Sequence, residues 1–381
     1  MNIWVVFLII DWMLYIAVSF TALYFLVFAI LSLYNRQTII PKAKYRNRFI
    51  VLIPAYKADD VIFNTVSSVL GQSYPQRLFD VTVISDHQSE MTNMRLAQSP
   101  VTLLTPDFAK STKAKSLQYA ILNQPEFKIY DVVVILDASN IVEPEFLEQI
   151  NNAYEAAGTK AIQAHRLPMN RDTSTARLDS IFEEINNAIF RRGHINAGLS
   201  AALNGSGIAF DFNWFKTNIM KVRSAGEDKE LEAMLMRQGV FIDYFDNIRV
   251  YDEKTRQVSA FHQQRFRWTL TQLHSLLANI RFLPSAIFHQ HYDWADKIIQ
   301  WMLVPRTIAV IIIAIMSIVL PFVYFTLVIK WWITGVLLGL SFAIATPNYL
   351  VDKNWDKDFL LMPLRSVWSL LSLFKKDKKN A

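Results

Sequence analysis

Between residues 48 and 247, short apolar runs alternate with segments whose apolar residues recur at helical spacing. A continuous apolar run bounded by polar residues is typical of a strand buried on both faces, and helical spacing indicates helices packed on such strands. Strands that alternate with helices predict a mostly parallel sheet covered on both faces. The predicted strands are 49–56, 79–86 and 131–137, and the predicted helices are 62–70 and 113–122.

Two of the predicted strands end in an aspartate. Asp86 closes the second strand and Asp137 closes the third, with Ser139 two positions later. Ligands of parallel sheets bind beyond the carboxyl ends of the strands, so one cleft can receive both acids. Because an unpaired buried carboxylate is costly, the acids indicate a cation or a hydrogen-bonding ligand, for example a metal ion that bridges nucleotide phosphates. The alternative is that each aspartate is a turn residue or a helix cap.

Two common nucleotide-binding motifs are missing from the sequence. The stretch NGSG (204–207) lacks the Lys and Ser/Thr that follow in a P-loop, and no Gly-x-Gly-x-x-Gly turn follows the first strand. This argues against ATP-hydrolysing and dinucleotide-binding proteins. The acids Glu227 and Asp228 begin a helical segment at 228–239, where acids also serve as caps.

The two ends of the chain are apolar enough to enter a membrane. From Ile3 to Tyr34 there is no Lys or Arg and one acid, Asp11, which we expect at the boundary of a spanning helix. A signal peptide is the competing interpretation, but the stretch is too long and has no basic start. Thr307–Val328 and Trp331–Tyr349 are predicted as a second and a third span, joined by a tight turn at Lys330.

The net charge of +6 is concentrated beside these apolar segments. Basic clusters beside spans usually face the cytoplasm, so we expect the N-terminus outside, the middle of the chain inside and, as the setting, a bacterial inner membrane. An apolar stretch at 359–374 is predicted to lie in the membrane interface. No basic stripe crosses the middle, which argues against nucleic acid, and the absence of Cys excludes disulfides. The clusters are Arg36, Lys42, Lys44, Arg46 and Arg48, and Lys375, Lys376, Lys378 and Lys379.

Five short motifs occur in an order that resembles the family 2 membrane glycosyltransferases. This family includes the cellulose, hyaluronan and poly-N-acetylglucosamine synthases, with ceramide glucosyltransferase as a related branch. The resemblance extends from about Phe49 to the third apolar segment, and Gln-x-x-Arg-Trp before a membrane region is its most specific part. The stretches TKAKSLQYA (112–120) and LNGSGIAF (203–210) fit as well. The five motifs are IPAY (53–56), Asp86, LDAS (136–139), GED (226–228) and QRFRW (264–268).

The resemblance implies an α/β fold: a Rossmann-like nucleotide-sugar domain of the glycosyltransferase A type, with a mostly parallel sheet and transmembrane helices at both ends. It divides the chain into five parts. These are an N-terminal transmembrane helix (1–35), a cytoplasmic glycosyltransferase domain (48–255), the QxxRW segment with interfacial helices (256–303), two transmembrane helices (304–350), and an interfacial helix with a basic tail (351–381).

The resemblance also implies a role for each matched residue. Asp228 would be the general base, and Asp137 with Ser139 would hold Mg²⁺ or Mn²⁺. Inversion by direct displacement requires a carboxylate opposite the leaving group, and the departing diphosphate requires charge stabilisation, which agrees with this assignment. The donor site would comprise Pro54, Ala55, Tyr56, Asp86, Lys113 and Asp137; the acceptor and leaving-group side would comprise Gln264, Arg267, Trp268, Gly205, Ser206, Gly207 and Glu227.

The sequence departs from the family pattern at the predicted metal site. Ser139 stands where the family usually has a second acid, and Lys57 and Ala58 stand where it usually has Asn-Glu. The expected function is transfer of a hexose or N-acetylhexosamine from a UDP-sugar to a growing polysaccharide, with an export or co-polymerase subunit as a possible partner. Transfer to a lipid acceptor is the alternative, favoured by the small number of spans. A catalytically silent, nucleotide-binding membrane subunit is the third.

Overall fold

The chain is organised around a single sheet. The computed structural model describes residues 3–34 and 40–351. The strands are β1 (Phe49–Tyr56), β2 (Phe79–Asp86), β3 (Thr102–Leu104), β4 (Val132–Ile135), β5 (Asn140–Val142), β6 (Ala161–Pro168), β7 (Ile208–Asp211) and β8 (Ile242–Asp252). They form one eight-stranded sheet in the order β3-β2-β1-β4-β7-β6-β8-β5.

The sheet is parallel in one half and mixed in the other. β1 pairs in parallel with β2 and β4, β2 pairs in parallel with β3, and β6 pairs in parallel with β8. β7 runs antiparallel to β4 and β6, and β5 runs antiparallel to β8. The predicted α/β class is therefore confirmed. The strands after β4 were not predicted, and two of them contain only three or four residues, too few to show a periodic pattern.

Strand β4 explains the uninterrupted apolar run in the middle of the sequence. Val132 and Val134 pack into the core on one face of the sheet, while Val133 and Ile135 pack into the core on the other. All four side chains are buried. A strand covered on both faces needs apolar residues at consecutive positions rather than at alternate ones.

Helices cover both faces of the sheet. Those named α4, α8 and α9 below pack on one face, and α2, α3 and α5 pack on the other. The helices are α1 (Ile3–Ser32), α2 (Ile62–Leu70), α3 (Glu90–Ala97), α4 (Lys113–Leu122), α5 (Phe146–Ala157), α6 (Ser174–Asn187), α7 (His194–Asn196), α8 (Phe212–Ile219), α9 (Glu227–Arg237), α10 (Val258–Asn279), α11 (Leu283–Phe288), α12 (Tyr292–Met302), α13 (Arg306–Val323) and α14 (Phe325–Ala345).

Among the described residues, the three helices α1, α13 and α14 are long and apolar enough to cross a membrane. The predicted turn at Lys330 is wrong, because the chain turns at Tyr324 and Lys330 lies inside α14. The physical reason is an ion pair: Lys330 bonds to Asp11, which lies inside α1 rather than at its boundary. Trp331 Nε1 also donates to Asp11 at 2.9 Å. The predicted interfacial helix at 359–374 and the C-terminal lysines lie outside the described residues.

Helix α1 is docked on the domain that contains the sheet as well as on another apolar helix, α14. A π-helical turn at Ala188–Gly193 lies against it, and any side chain at Gly193 would overlap the carbonyl oxygen of Phe28. The hydroxyl of Tyr24 donates to Asp296 at 2.6 Å and lies 2.8 Å from His194 Nε2. The ring of Phe28 stacks on His194 with 3.8 Å between centroids. Helix α1 therefore has a defined contact surface with the domain.

Candidate active site

The loop after β4 brings Asp137 to the amino end of α4. The side chain of Thr112 caps this helix by accepting the N–H of Lys115, and Lys113 begins its first turn. The Lys113 ammonium donates to the Asp137 carboxylate and to the Gly205 carbonyl, the latter at 2.7 Å. Three chain segments that are distant in sequence thus meet at one ammonium group.

Glu227 lies close to the same ammonium. Its Oε1 is 3.8 Å from Lys113 Nζ, and its side chain is buried. Burial raises the pKa of Glu227 to about 7, because the attraction of Lys113 only partly offsets the cost of desolvation and the neighbouring Asp228 raises the pKa further. Glu227 therefore changes protonation near neutral pH.

The ion pair keeps both of its members charged. Burial alone would raise the pKa of Asp137, but Lys113 and Arg166 outweigh it and the pKa is lowered. Burial alone would lower the pKa of Lys113, but Asp137 and Glu227 outweigh it and the pKa is raised. The point where the segments meet is therefore a charged site at neutral pH.

The glycine loop 204–207 forms the wall next to Asp137. Gly205 and Gly207 have φ angles of 66° and 64°, which a residue with a side chain rarely adopts. The N–H of Gly207 donates to the carbonyl of Ile135 at 2.9 Å, which ties the loop to β4. Ser206 between the glycines is buried. The loop thus presents the Gly205 carbonyl to Lys113.

A cavity of about 400 Å³ adjoins this point. Three residues predicted from motifs line it: Ser139 from the loop after β4, and Gln264 and Trp268 from α10. The other lining residues were not predicted. They are Arg166, Asp179, Glu183, Asp252, Glu253, Lys254, Thr255, Arg256 and Gln257.

The charges around this cavity are paired. Arg166 Nη2 donates to Asp252 at 2.5 Å, and Lys254 Nζ lies 3.0 Å from the same carboxylate. Lys254 Nζ is also 3.4 Å from Glu183. The only sequence signal for this network is the Asp-Glu-Lys run at 252–254, and its partners on β6 and α6 are recognisable only once the strands are paired.

The helix α10 positions the QxxRW motif. The guanidinium of Arg265 bonds to Asp179 at 2.6 Å and lies 4.9 Å from the centre of the Trp268 ring, which holds that ring at the cavity. Arg267 is exposed and does not line the cavity. One turn later, Thr271 lies against Gly226, so α10 is adjacent to the start of α9. Asp228, half-buried in that first turn, accepts the N–H of Lys229 at 2.9 Å.

Asp86 lies at the same edge of the sheet but is not part of this cluster. It is the register partner of Tyr56, so the predicted donor residues Pro54, Ala55 and Tyr56 end beside it. Its carboxylate is buried and accepts the hydroxyl of Ser111 at 3.1 Å, and it lies 2.5 Å from His87 Nδ1. The segment before α4 therefore connects Asp86 with Lys113. His87 and Ser111 carried no sequence signal.

The residues at the predicted metal position do not fit a divalent ion bound by the protein. Asp137 is engaged by Lys113, and the Ser139 hydroxyl donates to Asp252 at 3.3 Å. Within 3–34 and 40–351, no three His, Cys, Asp or Glu side chains form a group that would hold a metal. The expected Mg²⁺ or Mn²⁺ stays a prediction, and no catalytic step is assigned to it here.

A mixed α/β sheet of this kind, with its site at the carboxyl ends of β1, β2 and β4, defines the glycosyltransferase A class of folds. Residues 47–271 match the family model described as "Glycosyltransferase like family 2". The chain belongs to this family, as its motifs predicted. The particular branches named above stay predictions.

One solved structure agrees with the fold over almost its whole length. The mannosyltransferase PcManGT from Pyrobaculum calidifontis, solved with GDP-Man and Mn²⁺, is 16% identical with a TM-score of 0.57, covering 95% of this chain and 98% of that one. A more distant match is residues 1–349 of TarS from S. aureus with UDP-GlcNAc, 13% identical with a TM-score of 0.41, covering 78% of this chain and 90% of that one. No curated protein sequence matches the chain.

Proposed function

We propose that the protein is a membrane-bound inverting glycosyltransferase that transfers a hexose or N-acetylhexosamine from a UDP-sugar to a growing polysaccharide. One observation carries the proposal: Asp137, Gly205 and Glu227 converge on the Lys113 ammonium beside the cavity that Trp268 lines. The site thus combines fixed charges suited to a diphosphate with an aromatic face suited to a sugar ring.

The donor would lie along the carboxyl ends of the parallel strands. Its nucleoside would occupy the space beside Tyr56 and Asp86, and its diphosphate would reach the amino end of α4 at Lys113. The Lys113 ammonium would then donate at least one of its N–H groups to the phosphate oxygens. Because the leaving group departs as an anion, it needs charge stabilisation and no proton.

Transfer would proceed as a single displacement. The acceptor hydroxyl oxygen forms a bond to the anomeric carbon while the bond from that carbon to the phosphate oxygen breaks, and Asp228 takes the hydroxyl proton. Asp228 is proposed as the base because Glu227 already contacts Lys113, whereas the half-buried Asp228 stays free of that ammonium and follows Gly226, against which Thr271 of α10 lies. The product sugar would have inverted anomeric configuration.

The membrane arrangement is also a proposal. The domain at 48–255 would face the cytoplasm, with 1–35 and 304–350 spanning the bilayer and 256–303 on its surface. The cavity lies between the sheet and α10. In the proposed arrangement, the acceptor would enter this cavity from the membrane side of the domain. This arrangement places transfer at the lipid surface.

A lipid acceptor is the second candidate. Helix α14 packs on α1 and on α13, and Val18, Leu320 and Val328 of these three helices are fully buried. Three such helices among the residues that the structure describes are few to enclose a polysaccharide. This observation favours a short acceptor that stays at the membrane.

The test is release of nucleotide by the full chain purified in detergent. UDP- and GDP-sugars would be supplied with a soluble oligosaccharide or with membrane lipid, with and without Mn²⁺. A product degraded by polysaccharide hydrolases supports the first acceptor, and a product extracted into organic solvent supports the second. Release from no donor under any condition would contradict the enzyme and favour the silent subunit.

A further inference from the structure

The Lys113 ammonium lies in surroundings that ordinarily suit a metal ion. Its contacts are the carboxylate of Asp137, the carbonyl of Gly205 at 2.7 Å and the carboxylate of Glu227 at 3.8 Å. Carboxylate and carbonyl oxygens are the ligands that Mg²⁺ and Mn²⁺ prefer. The protein therefore supplies a cation of its own at this position.

A second cation lies beside Asp137. Arg166 donates from Nη1 to the carbonyl of Asn204 at 2.9 Å and from Nη2 to Asp252, and it lines the cavity together with Ser139. Its Nε is buried without a hydrogen-bond partner in the described part of the chain. Arg166 also lowers the pKa of Asp137, so its positive charge reaches that carboxylate.

The charges at this position are already balanced by the protein. The positive groups Lys113, Arg166 and Lys254 are matched by the carboxylates of Asp137, Asp252 and Glu183. A divalent cation would have to displace Lys113 from Asp137, whereas a diphosphate can accept hydrogen bonds from Lys113 and Arg166. Ser139 offers such a cation no second carboxylate.

We propose that Lys113 and Arg166 hold the donor diphosphate in place of a divalent ion, so that nucleotide binding by this protein is independent of metal. The inference rests on the proposed function, since it concerns the same donor site. It also explains the effect of Ser139, which stands in place of a second carboxylate. Without that carboxylate, the site favours the side-chain cations of Lys113 and Arg166 over a bound metal ion.

The test is binding of UDP and GDP to the full chain in detergent, measured by titration calorimetry in excess EDTA and in Mn²⁺. The expected result is a Kd that differs by less than about twofold between the two conditions. The electron paramagnetic resonance signal of free Mn²⁺ should also be unchanged by protein plus nucleotide. A Kd more than about tenfold weaker in EDTA would overturn the inference.

Variants make the assignment specific. Lys113→Met should weaken nucleotide binding in EDTA by at least about tenfold, while Lys113→Arg retains the charge and should bind within a few fold of wild type. Lys115→Met is the matched control, since Lys115 is on the same helix, is exposed, and its ammonium donates to the Lys110 carbonyl at 2.7 Å. Equal binding by Lys113→Met and Lys115→Met would contradict the proposal.

The converse variant is Ser139→Asp, which restores a second carboxylate. It should create nucleotide-dependent Mn²⁺ binding that wild type lacks, and a wild-type protein that already binds Mn²⁺ would contradict the inference. The outcomes distinguish failure of metal independence from failure of the proposed glycosyltransferase function. Binding that requires Mn²⁺ overturns metal independence and leaves the glycosyltransferase intact, whereas no nucleotide binding in either condition overturns both.

Discussion

Glu227 and Asp228 are adjacent in the chain, yet their side chains lie in different surroundings. Glu227 is buried and faces Lys113, while Asp228 is half-buried at the start of α9. Two neighbouring carboxyls in unlike environments are suited to different tasks. Replacing Asp228 and replacing Glu227 should therefore have different, measurable effects.

Replacing the proposed base should abolish most of the chemistry. Asp228→Asn keeps the size of the side chain but cannot accept the acceptor proton, so we expect kcat to fall by about 10²–10⁴-fold. KM for the donor should change little, because Asp228 does not contact Lys113 or Asp137. Initial rates of nucleotide release over a range of donor concentrations measure both constants. Full turnover by this variant would show that the base is another residue.

Glu227 should make stability depend on pH. Its pKa is about 7 in the folded protein and near 4.5 in an unfolded chain, so the folded state holds the extra proton. The resulting stabilisation is fully present below about pH 4.5 and is lost as the pH rises through 7, a difference of about 3 kcal/mol.

The measurement is denaturant unfolding in detergent from about pH 4.5 to about pH 8, for wild type and Glu227→Gln. Over this range the stability of wild type should fall relative to that of the variant, which has no proton to lose at this position. Parallel curves for the two proteins would contradict the raised pKa.

At the residue scale, the sequence predicted the site residues that belong to short motifs. It did not predict the site residues that come together only through strand pairing. Gln264, Trp268 and Ser139 were predicted from short motifs, and all three line one cavity, although their roles stay predictions. Arg166 and Asp252 were not predicted. They meet because β6 and β8 pair in parallel, and no spacing in the sequence specifies that register.

At the scale of elements, the contact between α1 and the turn at Ala188–Gly193 depends on the absence of a side chain. Gly193→Ala would push its new methyl group into the Phe28 carbonyl, so we expect a loss of about 1–3 kcal/mol of stability. The control is Gly339→Ala in α14, where the space is open and alanine favours the helix. Thermal unfolding in detergent measures both, and equal midpoints would argue against a close contact at Gly193.

The prediction of elements succeeded where the pattern was long and failed where polar residues were paired. The predicted strands 49–56 and 79–86 and the predicted helices 62–70 and 113–122 have the observed bounds. The turn at Lys330 was wrong because a lysine in an apolar run is typical of a boundary. Asp11 lies more than 300 residues away in the sequence, and only the folded chain places the two together.

At the scale of the whole molecule, the ion pair between Asp11 and Lys330 joins helix α1 to helix α14, which are far apart in the sequence. Asp11→Asn would leave the Lys330 charge without its partner between apolar helices, and we expect a loss of about 3–5 kcal/mol. The double variant Asp11→Asn with Lys330→Met removes both charges and should recover most of that loss. Unfolding in detergent of the single and double variants tests the coupling, and additive effects would contradict it.

The docking of α1 has a consequence for how the protein tolerates cleavage. Tyr24 and Phe28 supply part of the wall around His194, and Asn196 donates to the Leu31 and Tyr34 carbonyls at 2.8 and 2.7 Å. The first helix is thus part of the wall of the folded domain. A chain cut between residues 34 and 40 should remain assembled as two complementary fragments. In a protein that lacks residues 1–34, the surface around His194 would be exposed to solvent.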